Sequence, residues 1–209
     1  MDEWAKSIII PIHKKGKDKN EPLSYRGISL MATSAKLFTS ILNNRIKQYL
    51  ETNQLLSDEQ NGFRAGRSCQ EHIFVLNSII RNRINKNKAT FTCSIDMAKA
   101  FDSVNHILLW DALIRFGLHG KILETIKYMY SNIEACANLQ GHLTKCFKIH
   151  GGVRQGDNIV LTLFIIFINS LAEEIKLSNN DIKVGDMNLP ILQTTLFSWQ
   201  KQSTVYKHN

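Results

Sequence analysis

Ten consecutive residues, Ile159–Ile168, read IVLTLFIIFI and carry one hydroxyl, on Thr162, and no charge. A helix needs about 20 apolar residues to cross a bilayer, so this run is too short to span one. A helix that is apolar on every side has to be buried. The pattern therefore predicts a buried helix that continues to about Leu177. The chain has 209 residues, enough for one substantial core, or for one domain with a subdomain. Its composition, 44% hydrophobic and 21% charged, is that of a globular chain and not of a disordered one.

The remaining elements follow from local pattern. Ser7–Ile12 (SIIIPI) is β-branched and reads as a strand, followed by HKKGKDKNEP as a basic, turn-rich loop. Thr33–Leu50 reads as a helix capped by Thr33 or Ser34, with Phe38, Leu42, Ile46 and Tyr49 on one face. Asn53–Gly66 is a polar loop. Ser68 and Glu71 form a capping box for the next helix, whose apolar side carries Ile73, Leu76 and Ile80. Phe91–Met97 alternates, with Phe91, Cys93, Ile95 and Met97 on one face and Thr92, Ser94 and Asp96 on the other. Such a strand packs on apolar material and shows Asp96 to a polar cleft. His106–Phe116 reads as a helix stopped by Gly117, and Gly120–Tyr130 as another. Cys136–Gln140 and Leu143–Ile149 flank Gly141 as a β-hairpin. No internal repeat is present. The expected class is α+β with a largely antiparallel sheet.

Charge narrows the partners. Lys and Arg number 26 against 18 Asp and Glu, a net charge of +8, which favours polyanions and nucleic acid first. Cys69, Cys93, Cys136 and Cys146 form no C-x-x-C pair. They suggest neither a zinc site nor a disulfide framework, and fit reduced, buried thiols. The N-terminus, MDEWAKSIII, has no basic region before an apolar stretch, so no signal peptide is expected. The expected location is intracellular, in cytoplasm or nucleus, without a membrane partner.

Five blocks stand in a fixed order: IIIPIHKKG, YRGISL, EQNGFRAGRS, SIDMAKAFDSVNH and GGVRQGDN followed by LF. Together they make residues 4–192 resemble the reverse transcriptase of non-LTR (LINE-like) retrotransposons. The resemblance implies a right-hand polymerase fold, with fingers and a partial palm over residues 1–192 and the thumb absent. It implies RNA-directed DNA polymerase chemistry, in which a primer 3′-hydroxyl attacks a dNTP. That chemistry rests on positioning and charge neutralisation, with two Mg²⁺ ions about 3.5–4 Å apart. The implied partners are an RNA template, a DNA primer and dNTP.

The same resemblance assigns roles. Asp96 is the catalytic carboxylate and a metal ligand, because Mg²⁺ takes hard oxygen donors; the backbone oxygen of Ile95 or Met97 assists. Phe101 is the aromatic floor under the sugar, while Asp102 is a helix-start acid. Lys14, Lys15 and Arg26 clamp the triphosphate, and Lys17 and Lys19 belong to a solvated loop. Gln155 and Gly156 contact the nucleotide. Arg64, Arg67 and Arg154 contact nucleic acid through its backbone. Two departures stand out. Ile159-Val160-Leu161 replaces the family's Leu-Ser-Pro-like step. The family's other metal carboxylates, in a Tyr/Phe-Ala-Asp-Asp turn due after NLPIL, are missing, and no acidic residue follows Asp186.

Codon degeneracy offers a reason. Gln-Thr-Thr-Leu-Phe-Ser-Trp-Gln, the residues after Leu192, can be written CAG ACG ACA TTG TTC TCT TGG CAG. Read from the third base, this gives Asp-Asp-Ile-Val-Leu-Leu-Ala. Residues 193–209 are therefore expected to be an out-of-frame tail, and the chain to be inactive alone. Genomic DNA without that shifted reading overturns the hypothesis. The alternatives are a non-catalytic basic nucleic-acid-binding module, or a non-functional relic of an element. A truncated palm is also expected to leave apolar helix faces exposed.

Overall fold

A computed structural model describes residues 2–58, 60–89, 97–177, 182–184 and 187–189. Its helical core is built around the apolar run. Helix α6 (Val160–Leu177) buries Leu163, Phe164, Ile165 and Ile166 in succession, one full turn, so every side of the helix is covered there. It shares one buried cluster with Leu42, Ile46 and Leu50 of α2 (Thr33–Thr52), Leu109, Ala112 and Leu113 of α4 (His106–Arg115), and Leu123, Ile126 and Tyr130 of α5 (Lys121–Ser131). Each fully buried aliphatic or Phe side chain contributes about 1.5–3 kcal/mol. Two polar groups of α6 act as latches. Thr162 donates to Asn43 Oδ1 at 2.6 Å, and Asn169 Oδ1 accepts the Ser57 amide at 2.9 Å.

The sheet stands beside this core, with the short helix α1 (Asp2–Ala5) leading into it. Strand β1 (Lys6–His13) runs antiparallel to β2 (Tyr25–Leu30), from Ile8 opposite Leu30 to His13 opposite Tyr25. On its other edge β1 runs parallel to β3 (Glu134–Leu139). The strands β4 (His142–Leu143) and β5 (Phe147–Lys148) both pair antiparallel with β3. The α+β class holds, with a parallel pair at the centre of an otherwise antiparallel sheet. That pair is possible because α2 to α5 lie between β1 and β3 in the chain and supply the crossover. Outside it, β6 (Ile182–Val184) pairs with β7 (Met187–Leu189).

Three local expectations are corrected. Thr33 and Ser34 do not cap α2; Ala32 occupies the N-cap, and Ser34 Oγ instead accepts the Trp4 indole N–H at 3.0 Å. The capping box on α3 (Cys69–Asn85) forms as expected, but its buried face is turned by about one residue. His72 and Ile79 are buried, Leu76 and Ile80 half-buried, and Ile73 is 51% exposed. Phe74 and Ile84 of α3, and Ile107 and Leu108 of α4, are exposed too.

The third correction concerns the cysteines. Cys136 and Cys146 are joined by a disulfide rather than reduced and buried, and Cys146 is exposed. Register explains it. Ala135 pairs with Phe147, so Cys136 falls opposite Cys146. Further along, Asn138 pairs with Leu143, which leaves one extra residue in the returning arm. That bulge splits the arm into β4 and β5. Cys69 takes part in the α3 N-terminus, whereas Cys93, with the rest of Phe91–Asp96, lies outside the described residues.

Candidate functional site

Three of the sequence blocks meet at backbone level in the 151–157 loop. On one side the loop lies against the turn that leads into α4. Gly152 N–H donates to Val104 O at 2.9 Å and Val153 N–H to Phe101 O at 2.8 Å. Gly152 has φ +78°, and a Cβ there would stand 2.8 Å from Asp102 Cα and 2.9 Å from its carbonyl oxygen. Only a residue without a side chain permits that approach. On the other side the loop meets β2, where Ser29 N–H donates to Gln155 O at 2.8 Å.

The turn before α4 is itself held in place. Asn105 caps the helix, accepting from the amides of Ile107 and Leu108 at 2.8 and 3.3 Å. His106 Nε2 lies 2.7 Å from Gly152 O, which can only accept, so that nitrogen carries the proton. Phe101 is half-buried and meets Phe164 of α6 edge to face at 5.2 Å. Asp102 is exposed beside it. The structure thus brings Phe101, Gln155 and Gly156 to one locus. Asp96, five residues before Phe101 in the sequence, lies outside the described residues.

The expected cations divide into outward and inward groups. Arg26 is exposed on β2, three residues before Ser29, and Lys15 is exposed in the loop after β1. Lys14 is half-buried and donates to Leu23 O at 2.9 Å, closing the base of that loop. Arg67 lies at the surface, paired with the exposed Asp58 at 2.7 Å.

Two of the arginines expected at nucleic acid, Arg64 and Arg154, point inward. The Arg64 side chain is 6% exposed. Its Nε and Nη2 donate to the two oxygens of Glu51 at 3.0 and 2.8 Å, and its Nη1 to Ser57 O and Gln60 O. The direct Arg64 hydrogen bond, aided by the charges of Arg64, Arg67 and Lys47, holds the Glu51 carboxyl below the usual carboxylate range against a smaller opposing effect of burial. Arg64 therefore ties α2 to the 57–60 loop. The Arg154 side chain is 2% exposed. Nη1 donates to Trp4 O at 2.8 Å, Nη2 lies 3.7 Å from Asp157 Oδ2, and the guanidinium sits 5.7 Å from the centre of the Tyr130 ring.

No spacing rule in the sequence ties Tyr130 or Trp4 to Arg154. Burial and the nearby Asp157 charge push the Tyr130 phenol well above its ordinary value. Among the described residues no group of three His, Cys, Asp or Glu is placed to hold a metal ion, and no helix is long and apolar enough to cross a membrane.

Comparison with known proteins gives this geometry its context. Residues 12–192 match the family described as reverse transcriptase (RNA-dependent DNA polymerase). Over 104 residues the chain is 36% identical to the "Probable RNA-directed DNA polymerase from transposon BS" of Drosophila melanogaster, covering 50% of this chain and 12% of that protein. It is 33% identical over 128 residues to the corresponding X-element protein of the same fly, covering 61% and 13%. It is 28% identical over 160 residues to the Pol polyprotein of a type-1 retrotransposable element R2 from Nasonia vitripennis, covering 77% and 15%. The chain spans a small fraction, 12–15%, of these relatives' lengths.

Proposed function

The chain belongs to the reverse transcriptase (RNA-dependent DNA polymerase) family, and from that premise we propose that it forms the nucleotide-receiving part of a retrotransposon RNA-directed DNA polymerase. The observation that carries the reading is the clamping of the 151–157 loop between β2 and the Phe101–Val104 turn, which gathers Phe101, Gln155 and Gly156. In this reading the sheet and neighbouring loops belong to the fingers and the helical core to a partial palm.

The roles follow from the chemistry of the groups. Phe101 offers a ring face under the sugar and Gln155 a side-chain amide that can bond a base or sugar edge. Gly156 leaves room for the nascent pair. Arg26 and Lys15, both exposed, meet phosphate oxygens, Arg26 through a bidentate fork. Lys14 supports that loop from its base. Arg67 contacts the template backbone.

Mg²⁺ suits Asp96, a hard oxygen donor, and when bound it would neutralise phosphate charge and organise the attacking and leaving oxygens. Asp157, buried against Arg154, does not fit as a ligand. With no acidic residue after Asp186, the chain alone is proposed to hold nucleotide and duplex without extending a primer. The tail over 193–209 is proposed to be out of frame.

A primer-extension assay of the purified chain with Mg²⁺, alongside dNTP binding to a dideoxy-terminated RNA–DNA primer-template, tests this. Saturable dNTP binding without extension is the expected result. Extension that disappears in Asp96→Asn overturns the inactive reading, and absent dNTP binding overturns the nucleotide site.

A further inference from the structure

Arg154 and Asp157 are the two ends of a four-residue turn whose central residues are Gln155 and Gly156. Asp157 N–H donates to Arg154 O at 3.1 Å across the turn, and the two side chains span it a second time at 3.7 Å. Both side chains point inward and are 2% and 0% exposed. From inside, Arg154 is bolted to Trp4 O beside β1 and lies over the Tyr130 ring of α5. The central pair is aimed the other way: the Gln155 carbonyl and Gly156 meet β2 at Ser29.

A buried ion pair adds little stability unless its remaining polar atoms are satisfied. Here Arg154 Nε and both Asp157 carboxylate oxygens find no hydrogen-bond partner among the described residues. The pair is therefore a poor device for stability. It is a good one for fixing the attitude of a short turn, because Arg154 is itself held by Trp4 O and the Tyr130 ring and the Asp157 carboxylate sits against it three residues on. We propose that Arg154 and Asp157 are positioning residues, an internal brace that sets the Gln155–Gly156 turn to receive the nucleotide. The inference rests on the proposed nucleotide role of Gln155 and Gly156, and it replaces a nucleic-acid contact at Arg154 with an indirect role.

The test separates position from stability. In the full chain, Arg154→Met/Asp157→Leu removes both charges and keeps the branching of the buried side chains, and replacing a buried ion pair by apolar groups is often neutral or stabilising. Three quantities are read: the thermal midpoint, amide hydrogen exchange, and dNTP binding to a dideoxy-terminated RNA–DNA primer-template. The expected result is an unchanged or raised midpoint, with the Ser29 and Asp157 amides exchanging about tenfold faster while α6 stays protected. The dNTP affinity falls by about tenfold in parallel. Arg154→Lys, which keeps a charge near Asp157 but cannot also serve Trp4 O with a fork, gives intermediate values and supplies the reading should the double variant not fold. Unchanged exchange at Ser29 and Asp157 overturns the brace, as does loss of protection spread evenly over the whole chain. Wild-type protein that binds no dNTP, with the exchange result intact, overturns the nucleotide role and leaves the brace standing.

Discussion

The carbonyl oxygen of Ser29 lies 2.6 Å from the point where a Cβ at position 156 would stand. Gly156 also has φ +119°, outside the range that side chains adopt. Gly156→Ala therefore meets strain and a backbone clash together, and the Ser29–Gln155 hydrogen bond has to give way. The expected loss is about 2–4 kcal/mol of stability. Urea denaturation of the variant measures it, and a loss well under 1 kcal/mol would show that the loop and β2 can separate freely.

Arg64 and Glu51 make a second, deeper prediction. The Arg64 guanidinium serves Glu51, Ser57 and Gln60 while almost wholly buried. Arg64→Ala strands those acceptors and should destabilise the chain by about 2–3 kcal/mol. Because Glu51 titrates below its ordinary value in the fold, its contribution is present above the usual carboxylate range and is lost as pH falls through and below it. Glu51→Gln should flatten the acid limb of the stability curve. Parallel acid limbs in variant and wild type would contradict this.

The Tyr130 phenol is displaced in the opposite sense, upward, by burial and by Asp157. A raised value means the fold favours the neutral phenol. The stabilising effect is full below the unfolded value of about 10 and is lost as pH rises above it. Tyr130→Phe should remove the part of alkaline destabilisation that follows tyrosinate absorbance. If its unfolding midpoint drops with wild type between neutral and strongly alkaline pH, another group is responsible.

Much of this fold is legible in the sequence, for identifiable reasons. The α6 run, the α3 capping box and the β1 strand carry strong local signals, and they form as expected. The face of α3 is less legible, because periodicity alone cannot separate the Ile73–Ile80 side from the adjacent His72–Ile79 side, and it is the latter that is buried. Charge alone suggests a surface for Arg64 and Arg154, and only tertiary structure reveals the backbone carbonyls they meet and the half-exposed Glu51 carboxylate that Arg64 pairs with. The glycines of the 151–157 loop signal close approach, but not to which backbone. Asp96, central to the sequence reading, falls outside the described residues.

The disulfide predicts a simple mass result. Register places Cys136 opposite Cys146, and no partner exchange is needed to join them. Air-oxidised protein should be lighter than reduced protein by the two hydrogens of that bond, and Cys136→Ser should abolish the difference. Reduction should lower stability by about 2–3 kcal/mol, the order expected for closing a short loop. Equal masses before and after reduction would mean the two thiols stay free.

Arg64 and Arg67 stand three residues apart in one sequence block, yet only Arg67 faces solvent. Their variants should therefore fail in different ways. Arg67 contacts Asp58, which is itself exposed, and an exposed pair of this kind is easily exchanged for a phosphate. Removing one phosphate contact weakens duplex binding and lowers the slope of log affinity against log salt by about one. Arg67→Gln should show that change at wild-type thermal stability. Arg64→Gln should lower stability and leave the salt slope of the remaining folded protein near the wild-type value. Titration of an RNA–DNA duplex at several salt concentrations decides the matter. A reduced slope for Arg64→Gln and none for Arg67→Gln would reverse the assignment and return Arg64 to the nucleic-acid surface.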